Sequence, residues 1–120
     1  MIKETLKNAI RRLSEKHRVK ETELRIKISK PKDSLKYEIM KNSEVLEETN
    51  VATALNLNSI VAFMVDNKLK SIIDTIAKEH YVAENRVNVR IYTKTEDCEP
   101  LLYLFDETNA KSSLDINKYT

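Results

Sequence analysis

LKNAIRRLSEKHRVKETELRIKI, residues 6–28, and LKSIIDTIAKEHYVAENRVNVRI, residues 69–91, align without a gap at a spacing of 63 positions. Leu6/Leu69, Lys7/Lys70, Ile10/Ile73, His17/His80, Val19/Val82, Glu21/Glu84 and Ile28/Ile91 are identical. Leu13/Ile76, Leu24/Val87, Ile26/Val89 and Lys27/Arg90 are conservative. The match keeps its phase through two different periodicities, so it describes a unit of structure and not a stretch of similar composition.

In the first copy Ile2, Leu6, Ala9, Ile10, Leu13 and His17 fall within one arc at helical spacing, which predicts an amphipathic helix over residues 2–17. Residues 23–29 then alternate. Leu24, Ile26 and Ile28 take one side and Arg25, Lys27 and Ser29 the other, which predicts a strand with one wet face. Pro31, Asp33 and Ser34 form a turn, and Leu35, Tyr37 and Ile39 return along a second strand. The second copy repeats the order, with Leu69, Ile72, Ile73, Ile76 and His80 as the stripe and Val87, Val89 and Ile91 as the strand. Its turn spans residues 96–100, and three extra turn residues bring Leu101, Tyr103 and Phe105 into line with Leu35, Tyr37 and Ile39.

The expected architecture is α+β: two tandem α-β-β units forming a mainly antiparallel sheet of four or five strands, with two helices on one face. The chain reads as one domain over residues 1–120, with the repeat at 2–41 and 65–106, a linker or strand at 43–58 and a polar C-terminal tail at 107–120. In the linker, Val51, Thr53, Leu55 and Leu57 would share one face of a strand. Asn58 or Ser59 would cap the second helix, whose opening run from Ile60 to Val65 is apolar all round.

Composition narrows the chemistry. The chain has 120 residues and no glycine, which removes phosphate-cradling loops, nucleophile elbows and Gly-based dinucleotide fingerprints. Turns that need positive φ must use other residues, for which Asn42, Asn50, Asn85 and Asp97 are the candidates. The single cysteine, Cys98, rules out an internal disulfide and fits a reducing compartment, the cytoplasm. Three carboxylates flank it, which disfavours a thiolate. His17 and His80 lack the further ligands a metal needs, so helix-end packing explains them better. No spacing singles out a catalytic pair, and neither enzyme activity nor a cofactor nor a metal is expected.

Charge and exposed apolarity point to partners. Residues 1–42 hold 13 lysines and arginines against 6 acids, net +7, whereas residues 43–120 are net −5. Lys3, Lys7, Arg11, Arg18, Arg25 and Lys27 form a candidate basic patch, which makes nucleic-acid binding through the first unit the alternative function. In the second hairpin Tyr92, Leu102 and Leu104 are expected on the sheet face that the first hairpin fills with charge, a candidate protein interface. The favoured function is non-catalytic: a protein-interaction or assembly module, self-associating or part of a larger complex, with no membrane and no small molecule implied. The lysine-, isoleucine- and asparagine-rich composition suits a small structural or accessory protein of a phage or mobile element.

Overall fold

A computed structural model of the protein describes residues 2–50, 55–93, 101–106 and 109–114, the last two spans as backbone. The elements run α1 Ile2–His17, β1 Leu24–Ser29, β2 Lys36–Lys41, β3 Glu44–Thr49, α2 Ser59–His80, β4 Val87–Tyr92, β5 Leu101–Asp106 and β6 Asn109–Leu114. The six strands form one antiparallel sheet in the order β3-β2-β1-β4-β5-β6. The α+β class with tandem units is therefore the observed one. The sheet has six strands where four or five were expected, and β6 falls within the stretch read as a polar tail.

The repeat extends further than the sequence match. A single-turn 3-10 helix precedes each first strand, at Glu21–Glu23 and Glu84–Arg86, again 63 positions apart. The backbone of Val19 donates to Ser14 O and that of Val82 to Ala77 O, the same closing bond in each copy. Both helices then reverse through a left-handed residue, Arg18 at φ 55° and Tyr81 at φ 56°. Glycine usually fills that position, and its absence costs the chain roughly 1 kcal/mol at each end. Asn42 takes positive φ (55°) in the β2–β3 turn as expected, and Asn56 does so as well (60°), whereas Asn50 and Asn85 do not. Asp97 lies outside the described residues.

Beyond the first strands the spacing becomes 65. β2 and β5 correspond at that shift, and so do β3 and β6. The ladders agree residue by residue. Tyr37 pairs with Thr49 and Leu102 with Leu114, Ile39 with Glu47 and Leu104 with Ser112, and each ladder breaks register just after those pairs. Between the copies Lys27 pairs with Arg90, its own equivalent, so a local twofold axis passes through the centre of the sheet.

This spacing corrects the alignment of the second turn. It carries two extra residues, not three, so Leu102 and not Tyr103 occupies the place of Tyr37. Side chains alternate along a strand, so one residue of slip moves every position to the other face. Leu102 is paired with Ile91 and Leu104 with Val89, both on the helix-covered side. The expectation that Leu102 and Leu104 share the uncovered face with Tyr92 is thereby overturned; Leu101, Tyr103 and Phe105 hold the register positions beside it.

Both helices cover one side of the sheet. Leu6, Ile10 and Leu13 of α1 and Val65, Leu69, Ile73 and Ile76 of α2 are buried over Ile26, Ile28, Tyr37, Ile39, Val89 and Ile91. Each such side chain contributes on the order of 1.5–3 kcal/mol on burial, which holds the layers together. Leu55, expected on a strand, is buried in this core after β3 has ended, and Leu57 packs at its edge. Val51 and Thr53, expected beside them, lie outside the described residues. The Tyr37 hydroxyl donates to Asp66 Oδ1 at 2.8 Å, tying β2 to α2. Burial first, and then that bond to a carboxylate, raise the Tyr37 pKa far above its ordinary value. Asn58 caps α2, its side-chain oxygen accepting from the Val61 amide at 3.0 Å.

Candidate interaction surfaces

With both helices on one side, the other side of the sheet is open to a partner, and its residues follow from register. The middle row runs Glu48, Glu38, Lys27, Arg90, Tyr103 from β3 to β5. Lys27 lies 3.8 Å from Glu38, and Lys36 lies 3.3 Å from Glu48. Arg25 is fixed in place: its guanidinium donates to Thr22 O at 2.7 Å and to Leu24 O at 3.0 Å, and it sits 4.9 Å from the centroid of the Tyr92 ring. That stack is a cation–π contact between the copies. Tyr92, the one member of the expected interface that keeps its face, is therefore half-buried beneath an arginine.

The expected basic patch is divided by the fold. Lys3, Lys7 and Arg11 lie along α1, and Arg18 follows at its exposed end. Arg25 and Lys27 point away from the helices, because strand residues of that parity alternate with Leu24, Ile26 and Ile28. A ligand on one group has the thickness of the sheet between itself and the other.

The histidines end equivalent helices in different surroundings. His17 Nε2 lies 2.6 Å from Glu47 Oε2, which also takes Lys16 Nζ at 3.0 Å, so the cluster clamps edge strand β3 to α1. His80 is exposed, and Ser112 stands where the second copy would need the glutamate. Another junction joins the copies: Lys30 Nζ donates to Glu84 Oε2 at 2.7 Å, and that hydrogen bond raises the lysine pKa. Among the described residues no group of three or more His, Cys, Asp or Glu side chains could hold a metal ion. Cys98 is outside the described residues.

One surface was not singled out in the sequence. α2 begins six residues before the helical part that matches α1. Within this extension Ile60, Phe63 and Met64 are 74%, 68% and 64% exposed. They sit at i, i+3 and i+4, diametrically opposite the buried Ala62, Val65 and Leu69, so they form a stripe facing away from the sheet. Farther along that face Asn67, Ser71 and Lys78 are polar or charged, which confines the apolar stripe to the first two turns. Beside it a shallow cleft of about 200 Å³ is lined by Thr5, Asn8, Arg12, Leu57, Asn58 and Val61. That is less than the roughly 300–1,000 Å³ usual for small-molecule sites. Arg12 closes one end by donating to Asn56 O at 2.7 Å.

No helix among the described residues is long and apolar enough to cross a membrane. Comparison of the chain with protein-family models, curated proteins and solved structures gives no match.

Proposed function

We propose that this chain is a non-catalytic, self-associating assembly module whose contact surface is the outward face of the first two turns of α2. The observation that supports this reading is the stripe of Ile60, Phe63 and Met64, three large apolar side chains held in water on a well-capped helix. Such a patch, roughly 400 Å², is at the size where exposed apolar surface is commonly functional. Burying the three recovers on the order of 1.5–3 kcal/mol each. Association entropy consumes a comparable amount, so the stripe supports a concentration-dependent assembly in place of a permanent one. The opposite charges of the two halves favour approach of a second copy and are screened by salt.

The test is mass by light scattering over a wide concentration range. The wild type grows heavier than its 14.0 kDa monomer as concentration rises. Phe63→Asp with Met64→Asp stays at monomer mass while keeping its helical circular dichroism. A wild type that remains monomeric at millimolar concentration refutes self-association.

A further inference from the structure

The uncovered sheet face has a composition that self-association through α2 leaves unused. Read across the middle row, charge changes from acidic at Glu48 and Glu38 to basic at Lys27 and Arg90, and the row then reaches an aromatic position, Tyr103. The neighbouring rows add Arg25 beside Tyr92, and Phe105 opposite Asn88. Cations and aromatic positions are thus contiguous on β1, β4 and β5, while both acids of that row lie toward the β3 edge. Lys27 and Arg90 stand together at the local twofold axis, where repulsion between two adjacent cations favours an anion above them.

We infer that this face binds a single-stranded nucleic acid, its phosphates along Arg25, Lys27 and Arg90 and its bases over Tyr92 and the register positions of Tyr103 and Phe105. The ligand chemistry follows from the pairing of residue types. A protein partner of acidic character would use the cations but leave the aromatic positions without a specific role. An unstacked strand uses both, since each nucleotide brings one anionic and one flat aromatic group. A duplex is disfavoured, because its bases are stacked inside and a broad sheet does not enter a groove as a helix or a two-stranded ribbon does. The stack of Arg25 on Tyr92 already holds one ring in place at 4.9 Å, so part of the platform is ordered before any ligand arrives. The face offers stacking and charge in place of a hydrogen-bonding pocket for one base, so binding is tolerant of sequence.

The experiment is fluorescence anisotropy of a labelled oligo-uridine and an oligo-thymidine, titrated with the full chain at low salt. Binding of at least one, falling with salt at a log–log slope of roughly −2, is expected from about three phosphate contacts at 0.7 each. Tyr103→Ala should weaken binding about 5-fold to 100-fold, the loss of one stacked base, with the salt slope unchanged, and Tyr103→Phe should restore it. Lys27→Ala should lower the slope by nearly one contact, and it reads the same face if Tyr103→Ala does not fold. Lys7→Ala with Arg11→Ala, on the far side of the sheet, should leave affinity within about 2-fold, since a distant cation acts only through screened charge. The inference is overturned by absence of binding at low salt, by equal affinity for a duplex of the same length, by loss of binding in the α1 variant alone, or by a polyglutamate peptide that binds as tightly as the oligonucleotide.

Discussion

Replacing Tyr37 by phenylalanine removes one hydroxyl from the middle of the fold and separates packing from hydrogen bonding. The ring is completely buried, and its hydroxyl donates to Asp66 Oδ1 at 2.8 Å. A hydrogen bond to a charged group is worth about 1.5–3 kcal/mol. Asp66 keeps its ion pair with Lys70 at 3.2 Å and stays a quarter exposed, so the carboxylate is not stranded and the lower end applies. We expect Tyr37→Phe to cost about 1–2 kcal/mol near neutral pH, seen as a fall in Tm of roughly 4–8 °C for a domain of this size. The same hydroxyl sets an alkaline limit. Its pKa in the fold lies above the ordinary 10.0, so the folded state holds a proton that the unfolded chain releases. That contribution is fully present below pH 10.0 and is lost as pH rises toward the folded value. The slope approaches about 1.4 kcal/mol per pH unit. Lys30, whose pKa is raised by Glu84, acts in the same direction. Urea denaturation followed by circular dichroism at pH 7 and above pH 10 should therefore show Tyr37→Phe less stable than wild type at neutral pH, with a shallower decline in alkali. A variant as stable as wild type at neutral pH, or with an unchanged alkaline slope, would refute the assigned bond.

Leu104→Asp should prevent folding at ambient temperature, because register sets position 104 opposite Val89 on the helix-covered side; a folded variant by circular dichroism would contradict the two-residue turn insertion. Asn58→Ala should destabilise by about 1 kcal/mol through loss of the cap on the Val61 amide, checked by thermal melting. Glu47→Ala should speed amide exchange in β3, since that side chain receives both His17 and Lys16, while exchange at the centre of β1 stays slow.

The parts legible in the sequence are those with strong periodicity. The α1 stripe, the alternation of β1 and the 63-residue spacing each predict what is observed, because buried positions recur at the period of their element. The turn of the second hairpin misled for a definite reason. Matching Tyr37 to Tyr103 rewarded residue identity, whereas face is decided by the parity of the turn, and a leucine suits a core position as well as a tyrosine does. The third strands were hidden differently. Glu44–Thr49 and Asn109–Leu114 are edges paired on one side only, and edges tolerate the charged and small residues that erase a strand signal. Their place is fixed by the ladders of β2 and β5. The stripe on α2 lay inside a run that is apolar all round, so nothing in residues 60–65 alone says that Val65 is buried while Phe63 and Met64 face outward. The basic patch failed for the complementary reason: charges close in sequence alternate across a sheet and belong to different surfaces.

A concentration series of amide and methyl chemical shifts of the wild-type chain tests the assembly reading most directly. The residues whose signals move with concentration should map onto Ile60, Phe63, Met64 and Asn67, and Phe63→Asp should abolish the movement without shifting the signals of Ile26 or Ile91. Signals that stay fixed to millimolar concentration, or that move on another surface while α2 is unchanged, would contradict it.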